Sequence, residues 1–331
     1  MSVAIGLRAC RAVLICLAAA GSMQTGFATA AEDQFPTKPI RVIVPFSAGG
    51  PSDVVMRVIA PGFFEVARQQ LTIDNRPGAN AIIGTELAAK APSDGYTIAM
   101  FAFPHGVNPS MYPKLPYDTR RDFAPVTLVS SGPMLLTAHP SLPANNLRAL
   151  LDLARARPDE LTCASSGNGS TAHLALELLN QMAHVKIRHV PYRGASQAAA
   201  DVIGGHVSLY FGGAVSLLPH VKAGKLKALA VSTRKRSQAA PDVPTIEELG
   251  LAGYEVSGWY GIVVPARTPP EIVSTLNRLI TTVLRRPDVV KTLASHGAEV
   301  IASTPEIFAA HLDAEIARWS KVVKAAGITS E

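Results

Sequence analysis

The sequence feature that most constrains the fold is a buried strand followed by a glycine-rich turn and a helix start. Residues 40–44 are apolar and mostly β-branched, which is typical of a parallel strand covered on both faces. Gly49 and Gly50 then allow a backbone path that a ligand can approach closely, and Pro51 suits the first turn of a helix. The turn therefore offers N–H groups to an anion, although an ordinary turn without a ligand fits this stretch equally well.

Strands and helices alternate through the rest of the chain. Residues 40–101 predict a β-α-β-α-β run with parallel strands, and we expect its first helix, 52–70, to kink or restart at Pro61-Gly62. The proline-rich segment 104–122 is predicted to be irregular, and a second α/β series follows at 146–232.

Two long extended stretches, residues 123–137 and 254–264, are predicted to cross between two lobes. We expect the first stretch to be interrupted at 130–133, and residues 242–249 to form a short helix capped by Thr245. About 300 mature residues exceed one typical core. The predicted fold class is α/β, with two doubly wound domains and a ligand cleft between them. Domain 1 is assigned to residues 36–126 and 260–331, and domain 2 to residues 127–259.

Residues 1–30 have the pattern of a cleavable secretory signal peptide. Arg8 and Arg11 precede a short apolar run at 12–20, and Ala28-Thr29-Ala30 is an A-x-A cleavage site. The apolar run is shorter than the roughly 20 residues that span a bilayer, which disfavours the alternative of a membrane anchor. We therefore expect an exported, soluble protein.

Composition and motifs argue against several classes of function. The mature chain keeps 29 basic and 25 acidic residues, without the lysine- and arginine-rich runs of a nucleic-acid-binding protein. Cys163 is its only cysteine, so no intrachain disulfide can form. The sequence contains no nucleophile elbow, no phosphate-binding P-loop and no zinc-protease motif. We predict no catalytic residue, no metal and no cofactor.

Three later loops repeat the arrangement of the opening turn, because each follows a strand and opens a helix. They are residues 164–171, 191–196 and 211–216. In open α/β sheets, ligands bind beyond the carboxyl ends of the strands, where such loops gather. Each loop alone is a weak signal, whereas four of them divided between two lobes favour a binding cleft.

Single side chains in these regions leave alternatives open. Asp53 could cap its helix, or it could fix a water or an amino group of the ligand. His105 follows a strand end and could equally contact a ligand or be a plain loop residue. His173 is expected to pack or cap rather than catalyse. Arg193 is expected to be solvated at the cleft rim, and direct pairing with the ligand is its alternative.

Seven segments carry sequence motifs that can be compared with known families, namely residues 39–53, 74–79, 92–97, 122–126, 190–194, 241–248 and 259–265. In these segments, and in order over essentially the whole mature chain, the sequence resembles the Bug family, the substrate-binding proteins of tripartite tricarboxylate transporters. The resemblance implies a two-lobed, type II-like periplasmic binding protein that closes on a small carboxylate held by backbone amides, hydroxyls and waters. It implies contacts in the opening turn and in the strand-end loops, which carry over to Ser47, Gly49, Asp53, His105, Ser166, Gly169, Thr171, Ala195 and Gly213.

The sequence therefore predicts a monomeric solute receptor that delivers a carboxylate to transporter subunits in the cytoplasmic membrane. An alternative role is a ligand-dependent partner of a sensor kinase ectodomain. A secreted hydrolase on the same scaffold is disfavoured by the missing motifs, and no nucleic-acid partner is expected.

Overall fold

A mixed β-sheet flanked by helices organises the part of the chain that the computed structural model describes, residues 35–192 and 194–329. Its elements are β1 (Ile40–Val44), α1 (Pro51–Ala67), β2 (Leu71–Asn75), α2 (Ile82–Ala89), β3 (Thr97–Ala102), α3 (Pro104–Met111), β4 (Phe123–Ala138), α4 (Leu147–Ala156), β5 (Thr162–Ser165), α5 (Thr171–Ala183), β6 (Arg188–Pro191), α6 (Ala195–Ile203), β7 (Leu209–Gly213), α7 (Ala214–Lys222), β8 (Lys227–Val231), β9 (Ser257–Pro265), α8 (Pro270–Leu284), α9 (Pro287–Ser295), β10 (Glu299–Val300) and α10 (Pro305–Ala326).

The strands form two half-sheets that share the long strand β4. The first half-sheet contains β1, β2, β3, β9, β10 and residues 123–133 of β4. The second contains residues 134–138 of β4 together with β5, β6, β7 and β8. The order of neighbouring strands is β2-β1-β3-β9-β4-β7-β5-β6, with β8 and β10 also paired to β4. This arrangement confirms the predicted two-lobed α/β fold class.

Strand direction follows the predicted connections. Strand β1 pairs in parallel with both β2 and β3, as a β-α-β-α-β run requires, and β5 pairs in parallel with β6 and β7. Every residue of β3 is buried, which fits a strand covered on both faces. The carboxyl ends of β1 and β3 therefore lie at the same edge of the first half-sheet.

The two long extended stretches are β4 and β9, which pair with each other antiparallel. The predicted interruption at 130–133 is wrong, because β4 runs unbroken through those residues. Its register with β9 shifts earlier in the strand, between Pro125 and Thr127 and between Leu128 and Ser130. Gly132 is needed within residues 130–133, since a Cβ at this position would lie 2.4 Å from the carbonyl oxygen of Gly297.

Helix α1 continues through Pro61, so the predicted restart at Pro61-Gly62 does not occur. Gly62 packs directly against helix α8, where an added Cβ would lie 2.7 Å from a methyl group of Val283. Pro61 weakens helix α1, because it removes a hydrogen bond inside the helix, and the close packing against α8 helps to keep α1 continuous.

Two further sequence-based assignments are wrong. Residues 104–111 form helix α3 rather than an irregular segment, because Pro104 occupies its first position, where proline loses no hydrogen bond. Residues 242–249 form turns rather than a helix. Thr245 and Glu248 still make the reciprocal hydrogen bonds of a helix-capping pair, at 2.9 and 3.2 Å.

Candidate functional site

A cavity of about 310 Å³ opens between turns that belong to the two half-sheets. Its wall is formed by the turn before α1, the turns before α2 and α3, the loop from β5 to α5, and the first residues of β9. None of the lining residues carries a formal charge. They are Phe46, Pro51, Ser52, Asn80, Ala102, Phe103, Pro104, Ser166, Asn168, Ser170, Thr171, Gly258, Trp259 and Tyr260.

Three helices begin at the cavity wall. Pro51, Pro104 and Thr171 are the first residues of α1, α3 and α5, and all three line the cavity. The first N–H groups of a helix have no intrahelical acceptor, and they carry the positive end of the helix dipole. Two of these helices belong to the first half-sheet and one to the second, so the cavity can bind an anion from both sides.

The opening turn after β1 is shaped by hydrogen bonds within it. Gly49 adopts a φ of +76°, and its N–H donates to Asp53 Oδ2 at 2.8 Å. The N–H of Gly50 donates to the carbonyl oxygen of Ser47 at 3.1 Å. Ser47 and Gly49 are exposed and do not line the cavity, whereas Ser52 is buried and does. The turn therefore brings the helix start to the cavity rather than the two residues predicted to contact a ligand.

Asp53 lies behind that helix start, fully buried. Arg57 donates from Nε to Asp53 Oδ2 at 2.8 Å, and this hydrogen bond is the main reason that the pKa of Asp53 lies below its ordinary value. Asp53 Oδ1 is buried and has no hydrogen-bond partner among the described residues. The side chain caps the opening turn through Gly49 and does not line the cavity.

The loop between β5 and α5 forms the opposite wall. Ser166 and Thr171 line the cavity, as do Asn168 and Ser170, which sequence reasoning did not single out. Ser170 is the N-cap of α5, and its hydroxyl accepts from the N–H of His173 at 3.3 Å. This loop therefore supplies hydroxyl groups and the start of a helix dipole together.

Two stacked histidines support this loop through hydrogen bonds to its residues. The rings of His173 and His189 stack with their centroids 3.7 Å apart. Gly169 N–H donates to His173 Nδ1 at 3.1 Å, and Ser165 Oγ lies 2.5 Å from His189 Nε2. Burial lowers the pKa of His173 to about 3 and that of His189 to about 4, so both rings are neutral near pH 7. His173 thus packs and positions the loop, as expected.

Gly169 is the point at which the loop touches the first half-sheet's helices. Its φ is +73°, and an added Cβ would lie 2.5 Å from Met111 Sδ and 3.4 Å from Asn80 Nδ2. Met111 ends α3, and Asn80 belongs to the turn before α2. Gly169 is therefore placed for close backbone contact across the cleft.

His105 is not in a strand-end loop, as the sequence suggested, but in the first turn of α3. It is fully buried, and its Nε2 lies 2.9 Å from Thr85 Oγ1 while its Nδ1 lies 3.0 Å from the N–H of Ala102. Its ring stacks on Phe101 at 3.9 Å between centroids, and burial lowers its pKa to about 3. His105 does not line the cavity and supports the end of β3 from within the core.

Ala195 and Gly213 also lie away from the cavity wall in this structure. Ala195 is exposed at the first position of α6, and Gly213 is exposed at the junction of β7 and α7. Arg193 lies outside the described residues. Of the nine residues predicted to contact a ligand, the structure brings only Ser166 and Thr171 to the cavity.

The back of the cavity is fixed by a buried carboxylate on α10. Glu315 Oε2 accepts hydrogen bonds from the indole nitrogens of Trp259 and Trp319, both at 2.9 Å. Trp259 lines the cavity, and Trp319 packs edge-on against Phe103, which also lines it. Helix α10 therefore supports two cavity residues through one side chain.

A second cavity in the described part of the chain lacks unpaired arginines. A larger cavity of about 630 Å³ lies along residues 109–122, and its arginines are paired, Arg120 with Asp313 and Arg121 with Asp118. Among residues 35–192 and 194–329, no cluster of histidine, cysteine and acidic side chains is arranged to hold a metal ion. Within the same residues, no helix combines the length and apolar character needed to cross a bilayer.

Comparisons with known sequences connect this cavity to a family of receptors. Residues 55–328 match the sequence profile described as the tripartite tricarboxylate transporter family receptor. A protein encoded in the tcbD-tcbE intergenic region of Pseudomonas sp. strain P51 is 39% identical, with 88% of this chain and 87% of that protein aligned. Protein BugT of Bordetella pertussis is 36% identical, with 89% and 91% aligned.

Solved structures share the fold over nearly their whole length. Rpa4515 of R. palustris, determined with adipate, has a TM-score of 0.79 and 38% identity, covering 89% of this chain and 99% of that one. The periplasmic binding protein BugD has a TM-score of 0.77 and 31% identity, with 89% and 99% covered. MatC of Rhodopseudomonas palustris, with bound malate, has a TM-score of 0.76 and 33% identity, with 87% and 100% covered.

Proposed function

Since the chain belongs to the tripartite tricarboxylate transporter receptor family, we propose that it captures a small organic carboxylate in the cavity and delivers it to a tripartite transporter in the cytoplasmic membrane. The observation that carries this proposal is a cavity without formal charges on which three helix N-termini converge from two half-sheets. Adipate in Rpa4515 and malate in MatC indicate the size and chemistry of such a ligand.

Neutral donors are sufficient to hold a carboxylate here. A partly buried helix N-terminus contributes up to about 2 kcal/mol toward an anion. A hydrogen bond to a charged oxygen contributes roughly 1.5–3 kcal/mol. Two helix ends with a few hydroxyl and N–H donors can therefore reach the about 8 kcal/mol of micromolar binding after the costs of ordering.

The individual contacts are part of the proposal. We assign direct donors to Ser166 and Thr171, and to the N–H of Ser52 in the first turn of α1, because these three residues line the cavity. Asp53 and His105 are buried behind it and are assigned supporting roles. Ser47, Gly49, Ala195 and Gly213 would contact a ligand only if the turns around them moved inward, and Gly169 is assigned to close packing between the lobes.

Residues 1–30 lie outside the described part of the chain, and we propose that they direct export and are removed before Ala31. The domain boundaries at residues 126/127 and 259/260 and the monomeric state are likewise proposed. The switch of β4 from the first to the second half-sheet at Pro133-Met134 supports a connection between lobes near the first boundary.

The test is calorimetric titration of the mature chain with a panel of dicarboxylates, tricarboxylates, aromatic acids and acidic amino acids. We expect at least one of these to bind with micromolar affinity, and Thr171→Val, which removes a hydroxyl at similar volume, to weaken it by about 10-fold. Lys225→Gln, at an exposed turn after α7, is the matched control and should bind normally. If no organic anion binds, the proposal is wrong.

Delivery to a transporter is tested separately in cells. Deletion of the gene should abolish uptake of the radiolabelled ligand, and the wild-type chain should restore it. Thr171→Val should restore uptake only at ligand concentrations about 10-fold higher, in line with its weaker binding. Normal uptake after deletion, combined with ligand-dependent binding to a sensor ectodomain, would instead favour the signalling role.

A further inference from the structure

The turn before α2 has a backbone conformation that its residues rarely adopt. Four consecutive residues, Gly78, Ala79, Asn80 and Ala81, have positive φ values of 133°, 46°, 50° and 74°. Glycine and asparagine tolerate the left-handed region, whereas alanine does so only at a cost of about 1–2 kcal/mol. Strained turns of this kind persist where the surroundings fix them, and they cluster at functional sites.

A buried asparagine on α3 fixes this turn. Asn108 is fully buried, and its Nδ2 donates to the carbonyl oxygen of Asn80 at 2.8 Å. In return, Asn80 Nδ2 donates to Asn108 Oδ1 at 2.8 Å. Both the backbone and the side-chain amide of Asn80 are therefore held by one partner, and the orientation of its amide is determined by this pair of bonds.

The orientation leaves the amide oxygen of Asn80 available. Asn80 lines the cavity, and its Nδ2 is engaged by Asn108, with Gly169 of the opposite wall close to the same nitrogen. Asn80 Oδ1 has no hydrogen-bond partner among the described residues. It is also absent from the buried unpaired atoms of those residues, so it is accessible rather than enclosed. An amide oxygen can only accept, whereas the helix starts at this cavity can only donate.

We propose that Asn80 determines ligand selectivity, by accepting a hydrogen bond from a hydroxyl or ammonium group that the bound carboxylate carries. This inference rests on the proposed carboxylate-binding function and narrows its substrate class. The preferred ligand is a hydroxy- or amino-substituted carboxylate rather than the unsubstituted acid of the same skeleton. An unsubstituted acid would leave Asn80 Oδ1 facing a methylene group, with the loss of one hydrogen bond.

The test compares matched ligand pairs on two glycine variants. The pairs are succinate with malate, succinate with aspartate, tricarballylate with citrate, and benzoate with 3-hydroxybenzoate, titrated calorimetrically. Asn80→Gly removes the amide and fits the positive φ without strain. Ala79→Gly relieves the same kind of strain at the exposed neighbour while keeping the amide, so it is the matched control.

We expect the wild-type chain to bind the donor-bearing member of at least one pair tighter, by about 3–10-fold for a hydroxyl and more than about 10-fold for an ammonium. Asn80→Gly should reduce that ratio to about one, and Ala79→Gly should preserve it. A wild-type preference for the unsubstituted acids, or an equal loss for both members in Asn80→Gly, would overturn the proposal. If no acid of the panel binds to the wild-type chain, the carboxylate-binding function itself fails, which is a different result.

Discussion

Replacing Gly169 by alanine should have two separable effects. One is a strained backbone, which lowers the free energy of unfolding, and the other is a steric clash with Met111, which weakens ligand binding. The added methyl group would lie 2.5 Å from Met111 Sδ and 2.8 Å from its Cε. Met111 is only 4% exposed at the end of α3, so its side chain has little room to withdraw. The φ of +73° adds a second cost, because alanine is disfavoured there by about 1 kcal/mol.

The two costs should appear in different measurements. Backbone strain is present whether or not the lobes touch, so it should lower the free energy of unfolding by about 1 kcal/mol. The clash with Met111 exists only while the loop packs against α3, as it does in this structure, and we expect ligand binding to require that packing. Overpacking of this kind costs about 1–3 kcal/mol, and we therefore expect ligand affinity to fall by about 5–150-fold.

The test is calorimetric titration and urea unfolding of four proteins: the wild-type chain, Gly169→Ala, Gly224→Ala, and the double variant Gly169→Ala with Met111→Ala. Gly224→Ala is the matched control, because Gly224 has a φ of +69° and no atom within 4 Å of an added Cβ. It should lose stability like Gly169→Ala but bind ligand normally. Met111→Ala should restore most of the affinity in the Gly169→Ala background. The reasoning is refuted if Met111→Ala gives no rescue, or if Gly224→Ala weakens binding equally.

Three further predictions concern buried groups. Ala81→Gly should raise the free energy of unfolding by about 0.5–1 kcal/mol, measured by urea unfolding, because it relieves a φ of +74°. Glu315→Leu leaves two buried indole N–H groups unpaired, so it should lower the free energy of unfolding by about 2–5 kcal/mol and change the fluorescence emission of the chain's two tryptophans. Glu315→Gln keeps an acceptor and should destabilise the fold less. Burial lowers the pKa of His105 to about 3, below the ordinary 6.5, so the unfolded chain takes up a proton first as pH falls. The free energy of unfolding should therefore fall as the pH is lowered from 6.5 to 4.5, and His105 contributes up to about 2.5 kcal/mol of this loss. The urea unfolding midpoint of His105→Gln should depend less on pH than that of the wild-type chain.

Much of the fold could be predicted because the local signals agree with the tertiary structure. Helices α5 and α6 lie within the second α/β series predicted at 146–232, where a serine or a glycine precedes each helix start and the apolar pattern is regular. Helix α3 was missed because Pro104 and Pro109 within eight residues indicate a loop, whereas the structure uses Pro104 as a helix start. The same error placed His105 in a loop, although its neighbours in the core hold both of its ring nitrogens.

The candidate site was less predictable than the fold, because its wall depends on backbone conformation. Ser166 follows a strand and Thr171 begins a helix, and the resemblance to the Bug family singled out these two residues within that loop. Both line the cavity, and their contact with a ligand stays a prediction. Asn80 was overlooked, because nothing in its sequence context indicates a left-handed turn through two alanines. The one available signal was its position after β2, whose carboxyl end lies at the same sheet edge as that of β1.

Two buried carboxylates lie just behind the cavity, and both are occupied in ways that leave the wall attractive to an anion. Asp53 adjoins Ser52 of the wall, but its Oδ2 is bound by Arg57 and by the N–H of Gly49. Glu315 lies behind Trp259, and its Oε2 accepts from two indole N–H groups. Because one oxygen of each carboxylate is bound by its own donors, and neither side chain lines the cavity, an entering carboxylate meets hydroxyls, backbone N–H groups and helix starts. Selectivity must then come from where the few acceptors of the wall are fixed, and Asn108 fixes one of them at Asn80.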